Sequence, residues 1–373
     1  MERHLHIISF DVPYPADYGG VIDVFFKIKA LHHLGIRVHL HCFEYGRGEQ
    51  LELKRYCYEV NYYHRNKGHK GFSHKLPYIV CSRSSDELTR CLLADDHPIL
   101  LEGIHCTFLL RDDRFDKRRI VLRLHNVEYR YYWQLFKLER SISRKIYYYY
   151  ESRLLRKYER SISGRTLILA ISSGDAKVYR EEFGSNNIDC LPVFCPFEKV
   201  QNDNKIGCFC LYHGNLEVAE NEAVVVWLLK KVFNDLSVPF VIAGRNPSIN
   251  LIKAARNNAH ACLIANPTNE EMQDMVSKAQ INIIPSFNCT GTKLKLLNAL
   301  FNGKHCLVNE LAVQGTPLKP ICQISENAKS FKGAIDDLYN MPIQAREIDD
   351  REQILSDNFD NVKNAERLIK WIW

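Results

Sequence analysis

The alternation of short apolar runs with helical patterns is the feature that most constrains the fold of this 373-residue chain. In the first half, the predicted strands are residues 5–10, 37–43, 97–101, 119–124 and 166–171. Residues 21–34 have helical spacing and end at Gly35. Strands that alternate with helices form parallel sheets, because a crossover helix returns the chain to the same edge. The pattern therefore predicts an α/β protein.

A polar connection at residues 192–207 divides this alternation into two halves. It contains two prolines and the run QNDNK at 201–205, a composition typical of an interdomain linker. We therefore predict two facing Rossmann-like domains, residues 1–197 and 198–373, with the last helix able to pack back on the first domain. Ligands of such sheets bind beyond the carboxyl ends of the strands, so the cleft between the domains is the expected site.

The composition excludes several classes of protein. A hydrophobic fraction of 46% and a charged fraction of 25% are those of a folded globular chain. No apolar run reaches the roughly 18 residues that a membrane-spanning helix requires, and the amino terminus runs directly into a predicted strand, so we expect no signal peptide. We therefore expect a cytoplasmic protein whose 13 scattered cysteines are reduced thiols.

Three common nucleotide- and metal-binding motifs are absent from the sequence. The run Gly46-Arg47-Gly48 has Leu51 where a dinucleotide fingerprint needs its third glycine. A Walker A lysine motif is missing, and no two aspartates stand two positions apart. We therefore expect neither a nicotinamide cofactor nor a metal ion.

Two loops have the residue types of a phosphate site. The pair Gly19-Gly20 lies between the first strand and the first helix, where glycines admit a ligand close to the backbone and a helix amino terminus offers N–H groups. The loop 286–292 follows the strand at 281–285 and precedes a helix that opens with two lysines, which predicts a diphosphate cradle. An ordinary turn remains the alternative for both loops.

Five segments carry a resemblance to one enzyme family. The segments YHGNLEVAENEAVVVWLL (212–229), VPFVIAGRNPS (238–248) and INIIPSFNCTGTKLKLLNALFNGKHCLVN (281–309) resemble the nucleotide-sugar half of GT-B glycosyltransferases. The closest likeness is to a Bacteroidetes-type variant of the retaining family 4, the group 1 or mannosyltransferase-like enzymes. The segments PYPADYGGVIDVFFKIKALHHLGIRVHLHCF (13–43) and LRLHNVEYRYY (122–132) resemble the acceptor half.

The resemblance implies donor-binding residues for a UDP- or GDP-linked sugar. The matching positions are Gly19, Gly20, Gly214, Arg245, Thr290, Gly291, Thr292, Lys293, Lys295 and Asn298. The sequence departs from the family at two glutamates: Asn298 replaces the one that holds the ribose hydroxyls, and the one expected just after "PS" is replaced within FNCTG. An amide still forms hydrogen bonds to hydroxyls, but its charge is gone.

Polar side chains follow two predicted strands of the first half. His125 follows the strand at 119–124, and Glu102 follows the one at 97–101. A histidine at a strand's carboxyl end can bond a sugar hydroxyl or transfer a proton near neutral pH, so we predict both residues to be catalytic. His105 and Asn126 are predicted to lie on the acceptor side. A histidine that only caps the next helix is the alternative.

One stretch carries the whole excess of positive charge. Residues 111–160 contain 15 Lys/Arg against 7 Asp/Glu, a net charge of +8, whereas the whole chain has +6. Apolar residues at 131, 135, 138, 142, 146 and 150 predict a single long helix over residues 127–162. The basic face of this helix, 127–161, is expected either to be solvated or to meet an anionic membrane surface. We expect no nucleic-acid partner, because no recognition motif accompanies the charge.

The sequence thus favours a metal-independent hexosyltransferase of polysaccharide biosynthesis, and the family resemblance implies that it retains the anomeric configuration. It is expected to move a hexose from a nucleotide-diphosphate sugar to a glycan or lipid-linked acceptor, at the inner face of the membrane. Two alternatives remain open. One is a catalytically inert nucleotide-sugar-binding subunit, which the loss of both glutamates permits. The other is a nucleotide-sugar epimerase.

Overall fold

The computed structural model describes residues 2–44, 46–139, 141–201, 205–288 and 291–373, and it consists of two compact units. Unit 1 comprises Met1–Pro196 together with Phe359–Trp373, and unit 2 comprises Phe197–Asn358. The chain thus changes unit between Pro196 and Phe197, and its last helix belongs to unit 1. Across the residues described, we find no helix with both the length and the apolar character needed to cross a membrane.

Strands and helices alternate along most of the chain. The strands are β1 (His4–Ser9), β2 (Arg37–Glu44), β3 (Glu59–His64), β4 (Ile99–Glu102), β5 (Ile120–Leu124), β6 (Leu167–Ala170), β7 (Ile188–Cys190), β8 (Cys210–Asn215), β9 (Phe240–Arg245), β10 (Ala261–Ala265), β11 (Ile281–Ile283), β12 (His305–Val308) and β13 (Gln323–Ile324). The helices are α1 (Gly19–His33), α2 (Tyr78–Cys81), α3 (Asp86–Leu92), α4 (Glu128–Leu138), α5 (Ile142–Ile162), α6 (Ser173–Phe183), α7 (Ala219–Trp227), α8 (Ile249–Arg256), α9 (Asn269–Lys278), α10 (Leu294–Asn302), α11 (Glu310–Val313), α12 (Ala328–Tyr339), α13 (Ala345–Phe359) and α14 (Asn361–Ile372).

Each unit contains one parallel sheet, which confirms the predicted α/β class. Sheet 1 has the order β3-β2-β1-β4-β5-β6-β7, and sheet 2 has the order β10-β9-β8-β11-β12-β13. The central strands are buried on both faces because helices cover them. Leu101 of β4, for example, packs in one apolar cluster and its neighbour Leu100 in another. Strands β3, β7 and β13 were not among the predicted elements.

The last helix completes the core of unit 1. Ala365, Leu368 and Ile372 of α14 are buried in the same apolar cluster as Val24 and Ile28 of α1. A helix with apolar residues at this spacing presents one stripe to its neighbour. The carboxyl-terminal segment therefore belongs to the unit with which the chain begins.

The prediction of one long helix over residues 127–162 is wrong. The chain leaves the helical conformation at Glu139, which has extended backbone angles, and α5 begins at Ile142. The backbone N–H of Ser141 donates to the Glu139 carboxylate at 2.9 Å, a local bond that competes with helix continuation. Because the chain reverses, Phe136 of α4 packs against Tyr149 of α5 with ring centroids 5.6 Å apart. Arg140 lies outside the described residues.

This reversal moves part of the predicted apolar stripe to the surface. Ile142, Ile146 and Tyr150 of α5 are 77%, 54% and 65% exposed. The opposite face of α5 is buried instead, where Leu155 and Tyr158 join the core. Both segments are helical, as the periodicity predicts. The apolar spacing that runs from α4 into α5 does not, however, indicate which face of α5 is buried.

Candidate functional site

The carboxyl edge of sheet 1 holds a buried ionic network. Lys27 of α1 donates to Asp23 Oδ2 at 2.9 Å and to Glu102 Oε1 at 2.7 Å. The Arg123 guanidinium donates to both oxygens of Asp23, at 3.2 Å and 3.1 Å. On the other side, Glu102 Oε2 lies 2.8 Å from His125 Nε2. The predicted pair His125 and Glu102 is therefore in direct contact and is joined to three further charged residues, Lys27, Asp23 and Arg123.

The charges of this network balance. Burial alone raises the pKa of Asp23, but the Arg123 and Lys27 cations outweigh it and hold the pKa far below its ordinary value. Burial likewise opposes ionisation of Glu102, and Lys27 is the main cause that lowers its pKa. Two carboxylates thus face two fixed cations, with His125 at the end of the chain of contacts.

Asp23, Glu102 and His125 offer ligand atoms within 4.8 Å of one another, close enough for a metal ion. Lys27 Nζ already occupies the position between the two carboxylates, and Arg123 neutralises Asp23 from the other side. A divalent ion here would have to displace a buried ammonium. The donor set is therefore better matched to its internal cations than to a metal.

Phe10, at the end of β1, brings His125 and His105 to one place. Its ring centroid lies 5.5 Å from that of His125 and 5.3 Å from that of His105. Burial, followed by Arg83, lowers the pKa of His105, so its ring is neutral. His105 Nδ1 is buried and has no hydrogen-bond partner among the described residues. The structure therefore places a neutral imidazole with an unused nitrogen near His125.

Asn126 follows His125 in the chain, but its side chain interacts with a residue outside the ionic network. It forms a hydrogen bond with the carboxyl of Glu128, whose pKa burial raises to about 7. Glu128 in turn begins α4, and its backbone N–H donates to the buried Glu159 at 3.0 Å. Asn126 is thus part of the start of α4.

Gly19 and Gly20 form the first turn of α1 rather than a loop before it. Their backbone N–H groups have no acceptor within the helix, as in any first turn. A Cβ at Gly20 would lie 2.5 Å from Cζ of Phe10, so this glycine gives room to that ring. The packing of Phe10 is therefore sufficient to explain why a glycine stands at position 20, and no ligand is needed to explain it.

Unit 2 collects a second set of polar groups at the carboxyl edge of sheet 2. Lys295, in the first turn of α10, donates to the Tyr212 hydroxyl and to Asn221 Oδ1, both at 3.0 Å. Its Nζ lies 4.6 Å from the centroid of the Tyr212 ring. A Cβ at Gly214 would lie 3.7 Å from the same nitrogen, so that backbone passes close to the ammonium. The predicted residues Gly214 and Lys295 are therefore brought together.

Lys295 is held by neutral groups. Burial, followed by the neighbouring Lys293, lowers its pKa to about 7, and Glu220 acts in the opposite direction. No carboxylate forms an ion pair with Lys295 in the part of the chain that the structure describes. The buried ring of His213 lies in the field of this ammonium, and burial lowers the pKa of His213 to about 3. An anion placed here would meet a cation that is not ion-paired within the described residues.

Glu220 of α7 holds the loop that follows β11. Its Oε1 accepts from the Ser286 hydroxyl at 3.0 Å and from the Phe287 backbone N–H at 3.1 Å, and its Oε2 accepts from the Asn288 amide. Lys293 donates to the other end of that amide, at Asn288 Oδ1. A carboxylate from α7 therefore fixes the loop in which the resemblance would place a glutamate.

The remaining predicted donor residues are distributed around this edge. Arg245 ends β9 in register with Asn215, and it is exposed. The close approach of β9 to β8 requires the glycine before it, because a Cβ at Gly244 would lie 1.9 Å from the Gly214 carbonyl oxygen. Gly291 and Thr292 precede α10, and Gly291 has a left-handed backbone. Thr290 lies outside the described residues.

Asn298 is buried on α10, where its side chain is already engaged. Its Oδ1 accepts from Asn302 Nδ2 at 2.8 Å, one turn along the same helix. The amide nitrogen of Asn298 is the remaining donor that this position can offer a ligand.

Sequence reasoning missed several residues that the structure brings into these sites. They are Asp23, Lys27, Arg123, Tyr212, His213, Glu220 and Asn221. A signal was present for the first three, because charged residues inside the apolar runs VIDVFFKIKAL and IVLRL must be paired when the run is buried. Glu220 carried no comparable signal, since acidic residues in the first turn of a helix are common.

Comparison with known proteins places the chain in a family and identifies its fold. No protein-family model matches. An uncharacterized 44.6 kDa protein in the cps region of Klebsiella pneumoniae is 30% identical over 334 residues, which cover 83% of this chain and 84% of that protein. At such identity and coverage the two chains are members of one family.

Solved structures of glycosyltransferases resemble the whole chain at low sequence identity. A glycosyltransferase from Rickettsia africae ESF-5 has a TM-score of 0.65 at 13% identity and covers 99% of this chain and 98% of its own. S. aureus TarM, in complex with Fondaparinux, alpha-GlcNAc-glycerol and UDP, has a TM-score of 0.67 at 9% identity, with full coverage of both chains. Anabaena HepE with UDP-glucose reaches 0.65 at 9%, covering 98% of each chain. The chain therefore belongs to the family of the 44.6 kDa cps-region protein of Klebsiella pneumoniae and has the GT-B fold of these glycosyltransferases.

Proposed function

We propose that this chain is a glycosyltransferase that moves a hexose from a nucleotide-diphosphate sugar to a glycan or lipid-linked acceptor. The observation that carries the proposal is Lys295, a half-buried ammonium at the amino terminus of α10 that forms no ion pair with any carboxylate the structure describes. Helix dipole, backbone N–H groups and this cation all favour a bound anion. A diphosphate supplies that anion.

The donor is proposed to bind at the carboxyl edge of sheet 2. Lys295 and Lys293 face the diphosphate, the backbone at Gly214, Gly291 and Thr292 approaches it, and Arg245 adds a third cation from the end of β9. Asn298 takes the place of a ribose-binding glutamate and offers its amide nitrogen. A uridine donor is favoured over GDP, because the similar structures of TarM and HepE contain UDP and UDP-glucose.

The proposed chemistry is charge stabilisation of the leaving group. As the bond between the sugar carbon and the diphosphate oxygen breaks, negative charge develops on that oxygen, and fixed cations and helix N–H groups stabilise it. No metal is required for this role, because Lys295 and Arg245 supply positive charge. Membership of the retaining family 4, and with it retention of the anomeric configuration, is part of the proposal.

Unit 1 is proposed to supply the acceptor side. Glu102 fixes the orientation and tautomer of His125, in the way that a carboxylate orients a catalytic histidine. His125 then forms a hydrogen bond to a sugar hydroxyl or transfers a proton. His105 Nδ1 is free to form a hydrogen bond with the acceptor. Asn126 holds the start of α4, so we propose for it a positioning role.

The exposed face of α5 is proposed to meet an anionic membrane surface. Ile142, Ile146 and Tyr150 repeat every four residues, and Arg153 and Lys157 continue the same face. Apolar residues that insert and basic residues that meet lipid phosphates are the composition of an interfacial helix. The protein would then act at the inner face of the membrane, where a lipid-linked acceptor is found.

Co-sedimentation with vesicles tests the membrane proposal. We expect binding to vesicles with anionic lipid and less to purely zwitterionic ones, at roughly 1 kcal/mol per basic residue near the surface. Ile142→Ser combined with Ile146→Ser should reduce binding, whereas the control Ile249→Ser, 72% exposed in unit 2, should not. Equal binding by all variants would contradict the proposal.

A panel of UDP- and GDP-linked hexoses tests the function itself. We expect one donor to raise the melting temperature and to be turned over, slowly without acceptor and faster with it. Lys295→Ala and Arg245→Ala should cut this turnover while preserving the fold, by about 100-fold or more for the lysine. Binding without any turnover indicates the inert subunit, and conversion of the donor to an epimer indicates the epimerase. Full activity in both variants would refute the phosphate site.

A further inference from the structure

The amino edge of sheet 1, opposite the candidate site, carries a cluster of histidines. His4 and His6 of β1 alternate along the strand, as do His39 and His41 of β2, and His6 is in register with His39. Alternate residues of a strand point to one face, so the four rings share a face of the sheet. His97, in the loop before β4, stacks on His4 with ring centroids 4.7 Å apart.

The inner pair of this cluster is explained by hydrogen bonds alone. His6 Nδ1 lies 2.9 Å from His41 Nε2, and His6 Nε2 lies 3.0 Å from Asp95 Oδ2. His41 Nδ1 lies 3.0 Å from the Tyr63 hydroxyl. Each ring nitrogen of the pair therefore has a partner, and the pair needs no ligand.

The outer three histidines have the geometry of a metal site. His4, His39 and His97 offer ligand atoms that all lie within 4.8 Å of one another. His4 Nδ1 and His39 Nε2 are hydrogen-bonded to each other at 2.9 Å, and a shared metal ion would replace this bond. Two imidazole nitrogens on a tetrahedral Zn²⁺ ion lie roughly 3.3 Å apart, given Zn–N bonds of about 2.0–2.1 Å. A small outward shift of the rings would therefore admit the ion.

Carboxylates stand behind two of these rings. Glu59 Oε2 lies 3.3 Å from His39 Nδ1, the nitrogen turned away from the site, and Glu2 Oε2 lies 3.9 Å from His4 Nε2. A carboxylate on the far nitrogen of a metal-bound histidine fixes its tautomer and strengthens the ligand. His4 and His97 are partly exposed, so an ion and a water ligand can reach the site from solvent.

We propose that His4, His39 and His97 bind one Zn²⁺ ion, with water as the fourth ligand. Imidazole ligands suit zinc, and three histidines with one open position are a known zinc donor set. The ion would join β1, β2 and the loop before β4 at the end of the strands away from Glu102 and His125. The site therefore shares no residue with the groups proposed for sugar transfer.

A cobalt titration of the full chain tests this site. The protein is treated with a chelator, kept reduced, and titrated with Co²⁺, whose visible absorption reports tetrahedral coordination. We expect one equivalent of Co²⁺ without a thiolate-to-cobalt charge-transfer band, displaced by Zn²⁺. The charge-transfer band separates the histidine site from binding by exposed cysteines such as Cys208 and Cys262.

Matched variants decide the assignment. His97→Ala, in a loop, should abolish the band at the same Co²⁺ concentration, and Glu59→Gln should weaken binding about 10- to 100-fold. His33→Ala, an exposed histidine of α1, should bind as the wild type does. His39→Ala, with its fold checked by circular dichroism, should behave as His97→Ala does. An unchanged band in His97→Ala, or a thiolate band only, would overturn the proposal.

Discussion

The carboxyl edges of the two sheets differ in how their buried charged side chains are neutralised. In unit 1, Asp23 and Glu102 are matched by Lys27 and Arg123, so the network is complete without a ligand. In unit 2, Lys295 is held by a hydroxyl, an amide oxygen and an aromatic ring. The first network thus orients His125 through Glu102, whereas the cation of the second contacts only neutral groups among the described residues.

The difference follows from the cost of desolvation. A buried charge is tolerated when it is paired, and an unpaired one shifts its pKa toward the neutral form. Asp23 illustrates the first case, since its pKa is held down by two cations. Lys295 illustrates the second, since burial lowers its pKa to about 7. A bound anion would favour the charged form of Lys295 and raise this pKa.

The largest expected effect is on the stability of unit 1. Asp23→Ala leaves Arg123 and Lys27 with one carboxylate between them, and breaking a buried ion pair costs about 3–5 kcal/mol. Lys295→Met in unit 2 should cost no more than about 1.5 kcal/mol, the range of a hydrogen bond. Urea unfolding measures both losses.

Tryptophan fluorescence assigns each loss to its unit. Trp227 belongs to unit 2 and the other three tryptophans to unit 1, so Trp227→Phe leaves a signal from unit 1 alone. Lys177→Ala, which removes one side of a surface pair at 3.7 Å, is the control and should change stability by less than about 1 kcal/mol. Similar losses for the Asp23 and Lys295 variants would remove the distinction between the two edges.

The next effect separates transfer from donor binding. His125→Gln removes the imidazole that Glu102 orients, so we expect sugar transfer to fall about 100-fold or more. Donor affinity should stay within about twofold, because the proposed donor site lies in unit 2. Steady-state kinetics and calorimetry measure the two quantities, with the exposed His64→Gln as control. A parallel loss of donor affinity would assign His125 to the donor instead.

A smaller effect is expected from the loop that Glu220 holds. Glu220→Gln keeps the size of the side chain but removes the carboxylate that accepts from Ser286, Phe287 and Asn288. We expect donor affinity to fall about 10-fold, the worth of one charge-assisted hydrogen bond. Glu222→Gln, on the same helix, is a matched control. Unchanged affinity in the Glu220 variant would mean that the loop does not shape the site.

Most of the fold was predictable because its strands are short and continuously apolar. Buried parallel strands such as β4 and β6 leave this pattern in the sequence. Strand β3 escaped prediction because it lies at a sheet edge, with Tyr63 buried among half-exposed neighbours. The reversal between α4 and α5 was not predicted, because the apolar residues keep the same helical spacing on both sides of the turn.

The sequence predicted site residues only where they lie close together in one local motif. The helix that opens with Lys293 and Lys295 was found from the strand–loop–helix pattern around it. Tyr212 and Asn221, which hold Lys295, come from β8 and α7, more than 70 residues earlier in the chain. The partners of Glu102 likewise come from distant segments: Lys27 lies on α1, and His125 directly follows β5. Contacts of this kind follow from topology, which composition and spacing do not specify.

The pH dependence of UDP binding tests the central claim most directly. Since Lys295 has a pKa of about 7 without ligand and a diphosphate favours its charged form, binding should take up a proton above pH 7. Calorimetry in two buffers should show this uptake, with affinity falling by up to about tenfold per pH unit from 7 to 9. Lys295→Arg should bind UDP without this fall, because arginine stays charged. The same pH dependence in wild type and Lys295→Arg would contradict the account.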